Sequence, residues 1–223
     1  MRFAGESAGP VLQCQSVERR FGGIVALNGI DMQIERGEIF GLVGPNGCGK
    51  TTLTNAITGF YPPQRGHILL NGRDIAGLAP HYIATLGVAR TFQNLALFNG
   101  MSVLDNILLG RHIHLKPGVA RTALYWWLAR SDEAANRAVV EDVIDFLQLE
   151  SVRDELVDGI PIGLKKRVEL ARALAAEPNF LILDEPMAGM NQEEKEYMAR
   201  FILDARDERN VTVLLIEHHM DVI

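Results

Sequence analysis

Residues 37–60 read GEIFGLVGPNGCGKTTLTNAITGF, and three textures follow one another within them. The apolar run GEIFGLVG, bounded by glycines, predicts a short strand buried on both faces. KTTLTNAITGF has the apolar spacing of a helix that closes at Gly59. Between them GPNGCGKT, Gly44 to Thr51, fits the spacing G-x-x-x-x-G-K-[ST] in the strand-to-helix setting that gives this pattern its meaning. Glycines at 44, 47 and 49 let the backbone turn its N–H groups toward phosphate oxygens, and the following helix adds the positive end of its dipole. Lys50 is placed to reach the β- and γ-phosphates, and the Thr51 hydroxyl to hold Mg²⁺. Gly44, Pro45, Asn46, Gly47, Cys48, Gly49, Lys50, Thr51 and Thr52 are therefore the expected phosphate-binding run.

A metal held by one hydroxyl needs a carboxylate as well. NFLILDEP supplies one, since an apolar strand ends in Asp184, which emerges at a strand's carboxyl end as a ligand site requires. Glu185 follows, and a carboxylate beside a metal-binding aspartate can polarise a water for attack on the γ-phosphate. Alone, such a pair reads equally well as surface carboxylates; after the glycine loop the catalytic reading prevails.

Outward from these stretches, VLQCQSVERRF and IDMQI read as strands, and GHILLNGRDI as a strand running into an Asn71-Gly72 turn. LGVARTFQNLALF opens with a short strand. Residues 102–149 carry helical spacing broken at Pro117 and Gly118, which predicts a helical subdomain over about 94–175. VTVLLIEHH is a further buried strand after the charged helix QEEKEYMARFILDARDER. Strands alternating with helices predict an α/β fold with a largely parallel sheet. Residues 1–10 read as a frayed tail, and 11–223 as the domain.

The chain has 223 residues, 48% of them hydrophobic, enough for a substantial core. Cys14 and Cys48 have no framework spacing and read as unbridged thiols of a reducing compartment. A formal charge of -6 argues against nucleic acid as a partner. No apolar run approaches the roughly 20 residues that cross a bilayer, so membrane association is expected to go through a partner.

In this order the motifs resemble the ATP-binding cassette (ABC) family, from about Val11 onward. The resemblance implies a P-loop ATPase core with an N-terminal antiparallel β part and the helical subdomain. It also assigns roles that spacing alone does not. Gln93, in TFQN, matches the glutamine that contacts Mg²⁺ and the attacking water, while His218, in LLIEHH, matches the histidine that orients the γ-phosphate. Phe21, in ERRFGG, matches the aromatic that stacks on adenine, with core packing as the alternative. GPNGCGKTTLTNAITGF, ARTFQNLALFNGMSVLDNILLGRH and DEPMAGMN together look like the ATPase subunits of branched-chain amino-acid importers.

The resemblance implies ATP and Mg²⁺ as ligands and a second cassette, identical or not, closing on two ATPs. It implies integral permease subunits as partners, a periplasmic or extracellular solute-binding protein indirectly, and a peripheral place on the cytoplasmic face of the inner membrane. Other readings are a soluble nucleotide-dependent interaction module and a slow subunit paired with an active cassette. A GTPase is disfavoured, since no N-K-x-D motif occurs. Relatives continue beyond the segment matching EHHMDVI, so the C-terminal end is expected to be incomplete.

Two departures stand out. Asn191 ends the loop AGMN where many cassettes have Asp. Ile160, Pro161, Ile162, Gly163 and Leu164 replace the Leu-Ser-Gly-Gly-Gln loop that, in the family, meets the partner's γ-phosphate. Pro161 removes a hydroxyl and a backbone donor, a loss of about 1.5–3 kcal/mol per charge-assisted hydrogen bond. Gly163 still permits close approach, and a helix beginning near Leu164 or Lys165 still offers free N–H groups. The loop either works in altered form or needs a partner with a fuller one. Lys165 and Lys166 could compensate by charge, but as helix-face cations their expected place is in solvent.

Overall fold

The computed structural model describes residues 9–92, 95–114 and 125–217. Gln93 and His218 lie outside these residues. The chain divides into two compact units: Met1–Val88 with Asn179–Leu183 and Ile202–Ile223, and Ala89–Pro178 with Asp184–Phe201.

The first unit opens with β1 (Leu12–Phe21) and β2 (Ile24–Ile34), paired antiparallel. IDMQI forms only the end of β2, whose earlier residues are mostly exposed and therefore lack a clear alternation. β4 (Arg65–Leu70) pairs antiparallel with β1, and β5 (Arg73–Asp74) with β4, giving the order β2-β1-β4-β5. Between β4 and β5, Asn71 at φ 49° and Gly72 at φ 77° make the expected turn, whose two positive φ angles match the twist of the flanking strands.

A second sheet has the order β3-β8-β7-β6, from β3 (Ile39–Val43), β6 (Val88–Arg90), β7 (Phe180–Asp184) and β8 (Thr212–Glu217). β3 and β8 run parallel, with Ile39 opposite Val213 and Val43 opposite Glu217. The runs FLILD and TVLLIE are buried along their whole length, as the absence of alternation predicts. β3 differs from expectation: it sits at the end of the strand order and is only half-buried, because an end strand has a neighbour on one side. Leu12, Ile34 and Ile68 join Leu53 and Ile57 of α1 (Lys50–Ile57), and Ile182 and Ile216 of the second sheet, in one apolar core. Another short helix, α2 (Pro80–Thr85), begins with proline at a position where a missing N–H costs nothing.

Helices dominate the second unit: α3 (Val103–Leu108), α4 (Tyr125–Phe146), α5 (Ile162–Ala175) and the start of α6 (Gln192–Arg209). Ser102 caps α3, its hydroxyl oxygen accepting the Asp105 N–H at 3.1 Å. Val103, Ile107, Val140, Val143 and Ile144 are buried, so helical spacing over 102–149 did mark core-facing positions, and Val168, Ala171 and Leu174 of α5 are buried too. α5 begins two residues before the expected start, directly after Pro161, whose fixed φ suits a helix entrance.

Candidate functional site

The glycine loop follows β3 and opens α1, as read from the sequence. Gly47 and Gly49 lie at φ 80° and 103°, where side chains are strained. A Cβ on Gly49 would also collide with the Ala26 carbonyl oxygen, so only glycine fits there. Pro45 to Cys48 and Thr51 are exposed, whereas Lys50 is 8% exposed. Its ammonium folds back over the loop, donating to the Gly44 carbonyl and, at 3.1 Å, to that of Pro45. No side chain caps α1 at Gly49 and its first turn holds no acid. An exposed ring of backbone around a lysine ammonium, at an uncapped helix start, is a donor set that fits a polyphosphate.

Phe21 is not packed into the core. It is 38% exposed, and Tyr61 meets it edge-on with ring centroids 5.4 Å apart at 80°. The Arg19 guanidinium lies 4.9 Å from the Phe21 centroid and 5.8 Å from that of Tyr61, while its Nη1 donates to the Pro62 carbonyl at 2.7 Å. Tyr61 and Arg19 thus hold a ring that stays partly exposed, which suits stacking on a planar base.

In the second unit Asp184 and Glu185 are 4% and 8% exposed, so the reading of ordinary surface carboxylates fails. Asp184 Oδ2 accepts from Arg90 Nη2 at 2.9 Å, and its N–H donates to the Thr91 hydroxyl at 3.3 Å. Glu185 adopts φ 50°, a left-handed backbone that costs a non-glycine residue about 1–3 kcal/mol and persists where surroundings over-determine it. Two carboxylates held this way, one beside a fixed cation, have the chemistry of a hard-metal ligand and a general base.

The family profile described as "ABC transporter" matches residues 27–188. The chain belongs to the ABC transporter family. Over 218 residues the cassette is 38% identical to the high-affinity branched-chain amino acid transport ATP-binding protein BraF of Pseudomonas aeruginosa, covering 96% of this chain and 84% of that one. Its identity to the probable branched-chain amino acid transport ATP-binding protein LivG of Archaeoglobus fulgidus is 33%, covering 96% and 81%. Among solved structures, a nucleotide-free ATP-binding cassette from an ABC transporter superposes with TM-score 0.82 at 28% identity, covering 96% of this chain and 83% of that one. An ADP-bound conformation of an ABC transporter cassette gives TM-score 0.82 at 29% identity, with coverage of 96% and 83%. The cassette is thus a nucleotide-binding ATPase with the P-loop fold. None of its described helices is long and apolar enough to cross a membrane.

The altered loop departs from expectation at Gly163. Gly163 is buried, and a Cβ there would collide with the Glu194 carboxylate. Glu194 in turn accepts the Asn191 N–H at 2.9 Å, while Asn191 Oδ1 accepts the Glu194 N–H at 2.9 Å. This reciprocal pair is a capping box for α6. The first departure is thereby explained locally, since asparagine caps a helix as well as aspartate does.

Lys166 corrects the sequence reading more directly. It is buried, not solvated, and its ammonium lies 3.9 Å from Glu169. Sequence reasoning also missed Arg19, Tyr61, Arg90 and Glu169. Arg19 stands two residues before Phe21 on one strand, a spacing that shares a face and was there to be used. Tyr61 and Arg90 meet their partners only through the fold, whereas Glu169 stands three residues after Lys166 on α5, a spacing that was also there to be used.

Proposed function

We propose that this cassette binds MgATP and hydrolyses it to power a membrane permease that imports branched-chain amino acids or related small polar solutes. The observation that carries the reading is the glycine loop with Lys50 folded over it at the start of α1. The identity to BraF along 96% of the chain supports the cargo class.

In this reading the loop amides from Gly44 to Thr52 and the Lys50 ammonium bind the phosphates, and Phe21 stacks on adenine. Thr51, Asp184 and Gln93 would hold Mg²⁺, which when bound neutralises phosphate charge. Glu185 takes a proton from the water whose oxygen attacks the γ-phosphorus, the bond to the ADP oxygen breaks, and His218 orients the transferred group. A second cassette, identical or not, offers the start of its α5 to the phosphate opposite; Gly163, buried beside the Glu194 carboxylate, is not the open approach its sequence position suggested. Closure and reopening of the pair then move the permease subunits at the cytoplasmic face of the membrane, with a solute-binding protein acting on their far side.

Two experiments test this. Glu185→Gln retains ATP binding and accumulates as a dimer; a variant hydrolysing ATP at the parent rate removes Glu185 as the base. Extraction in mild detergent recovers the chain with integral permeases, whereas recovery with ribosomes or DNA in their place contradicts the transport reading.

A further inference from the structure

Lys166 and Glu169 are 5% and 2% exposed, and Lys166 Nζ lies 3.9 Å from Glu169 Oε2. Each also reaches backbone outside α5. Lys166 Nζ donates to the carbonyl of Glu185 at 3.5 Å. Glu169 Oε1 accepts the Phe92 N–H at 3.3 Å, and the Ala96 N–H bonds the same carboxylate. One turn further, Arg172 donates to the Ala96 carbonyl. Lys166 and Glu169, and Glu169 and Arg172, are neighbours at i,i+3 spacing, so this winding stripe of α5 grips the chain on both sides of Gln93 and, at its near end, the backbone of Glu185.

Stability does not account for this arrangement. A buried ion pair is often no more stabilising than apolar side chains of the same volume, and burial pushes the Glu169 carboxyl above its usual range against the pull of Lys166. What the pair supplies is position. Glu185 sits at φ 50°, a conformation that must be over-determined by its neighbours, and Lys166 is a fixed donor to its carbonyl.

We propose that the buried Lys166–Glu169 pair is a positioning device that holds the Glu185 backbone in its hydrolytic conformation and ties it to the segment flanking Gln93. This rests on the reading of Glu185 as the group that polarises the attacking water. Lys166 and Glu169 are buried and bond the backbone of Glu185, Phe92 and Ala96, so they act as positioning residues and not as reacting groups.

The test measures steady-state ATP turnover and, separately, ATP affinity of the full chain for Lys166→Met, Lys166→Arg, Lys166→Met/Glu169→Gln and Glu185→Gln. The double variant removes both members of the Lys166–Glu169 pair, so neither is left as an unpaired charge in the core, and it remains measurable where Lys166→Met does not fold. The expected result is a kcat reduced roughly tenfold or more in the double variant, ATP Kd within about twofold of the parent, and most of kcat restored by Lys166→Arg. A folded double variant turning over at the parent rate overturns the proposal, as does a loss confined to Kd or KM. Hydrolysis by Glu185→Gln at the parent rate removes the premise instead, a failure that can be told apart because it does not involve the Lys166 variants.

Discussion

Arg90 Nη2 stands 2.9 Å from Asp184 Oδ2, and both side chains are withdrawn from water, at 6% and 5% exposure. The carboxylate expected to hold a divalent cation therefore already has a monovalent one beside it. Removing one member of a buried pair leaves the other uncompensated, at about 3–5 kcal/mol. Arg90→Met is expected to lower the urea midpoint of unfolding accordingly, with part of the loss recovered in saturating MgATP, where the metal supplies the missing charge. An equal loss with and without MgATP would argue against Asp184 as a ligand.

Phe21 stays partly exposed while Tyr61 packs against it and the Arg19 guanidinium lies over its ring. Stacking of a base on an aromatic ring is worth about 1–3 kcal/mol, so Phe21→Ala is expected to weaken ATP affinity roughly 5- to 150-fold and Phe21→Tyr to change it little. Fluorescent-nucleotide titration reads both. An unchanged affinity in Phe21→Ala excludes the ring from the adenine site.

Cys48 is exposed within the glycine loop, and its Sγ lies 2.8 Å from where a Cβ on Gly44 would stand. A thiol adduct there occupies the space the loop offers to phosphate. Maleimide treatment is expected to abolish ATP binding, prior ATP to protect against it, and Cys48→Ala to bind ATP normally while resisting the reagent. Normal binding by quantitatively modified protein would place the phosphates elsewhere.

Asn191 and Glu194 cap α6 reciprocally. Asn191→Asp is expected to leave stability within about 0.5 kcal/mol and Asn191→Ala to cost about 1 kcal/mol, as for other helix caps. Thermal unfolding distinguishes the two, and an Asn191→Ala variant as stable as the parent would deny the capping role.

The glycine loop, Asp184 and Glu185 were legible because each lies next in sequence to the element that positions it: β3 before the loop, α1 after it, β7 before the acids. Arg90 was not, since its partner is 94 positions away and a lone arginine after a short strand has no local signature. Lys166 was misread for a different reason. Val168, Ala171 and Leu174 form one buried stripe along α5, but Glu169, Leu170 and Ala173 are buried as well. A helix enclosed on more than one side buries positions beyond a single apolar stripe, here including a charged pair, and periodicity counts only the apolar ones. The half-buried state of β3 was likewise hidden, because strand order is a property of the sheet and not of the run GEIFGLVG.

Titration calorimetry of ATP into the folded chain, with and without Mg²⁺, asks whether the Lys50 loop, Asp184 and Glu185 bind a magnesium nucleotide. Saturable, magnesium-dependent binding is expected, preserved in Glu185→Gln and weakened in Lys50→Ala and Asp184→Asn. Binding that is absent, or indifferent to magnesium and to both of those substitutions, would overturn the assignment.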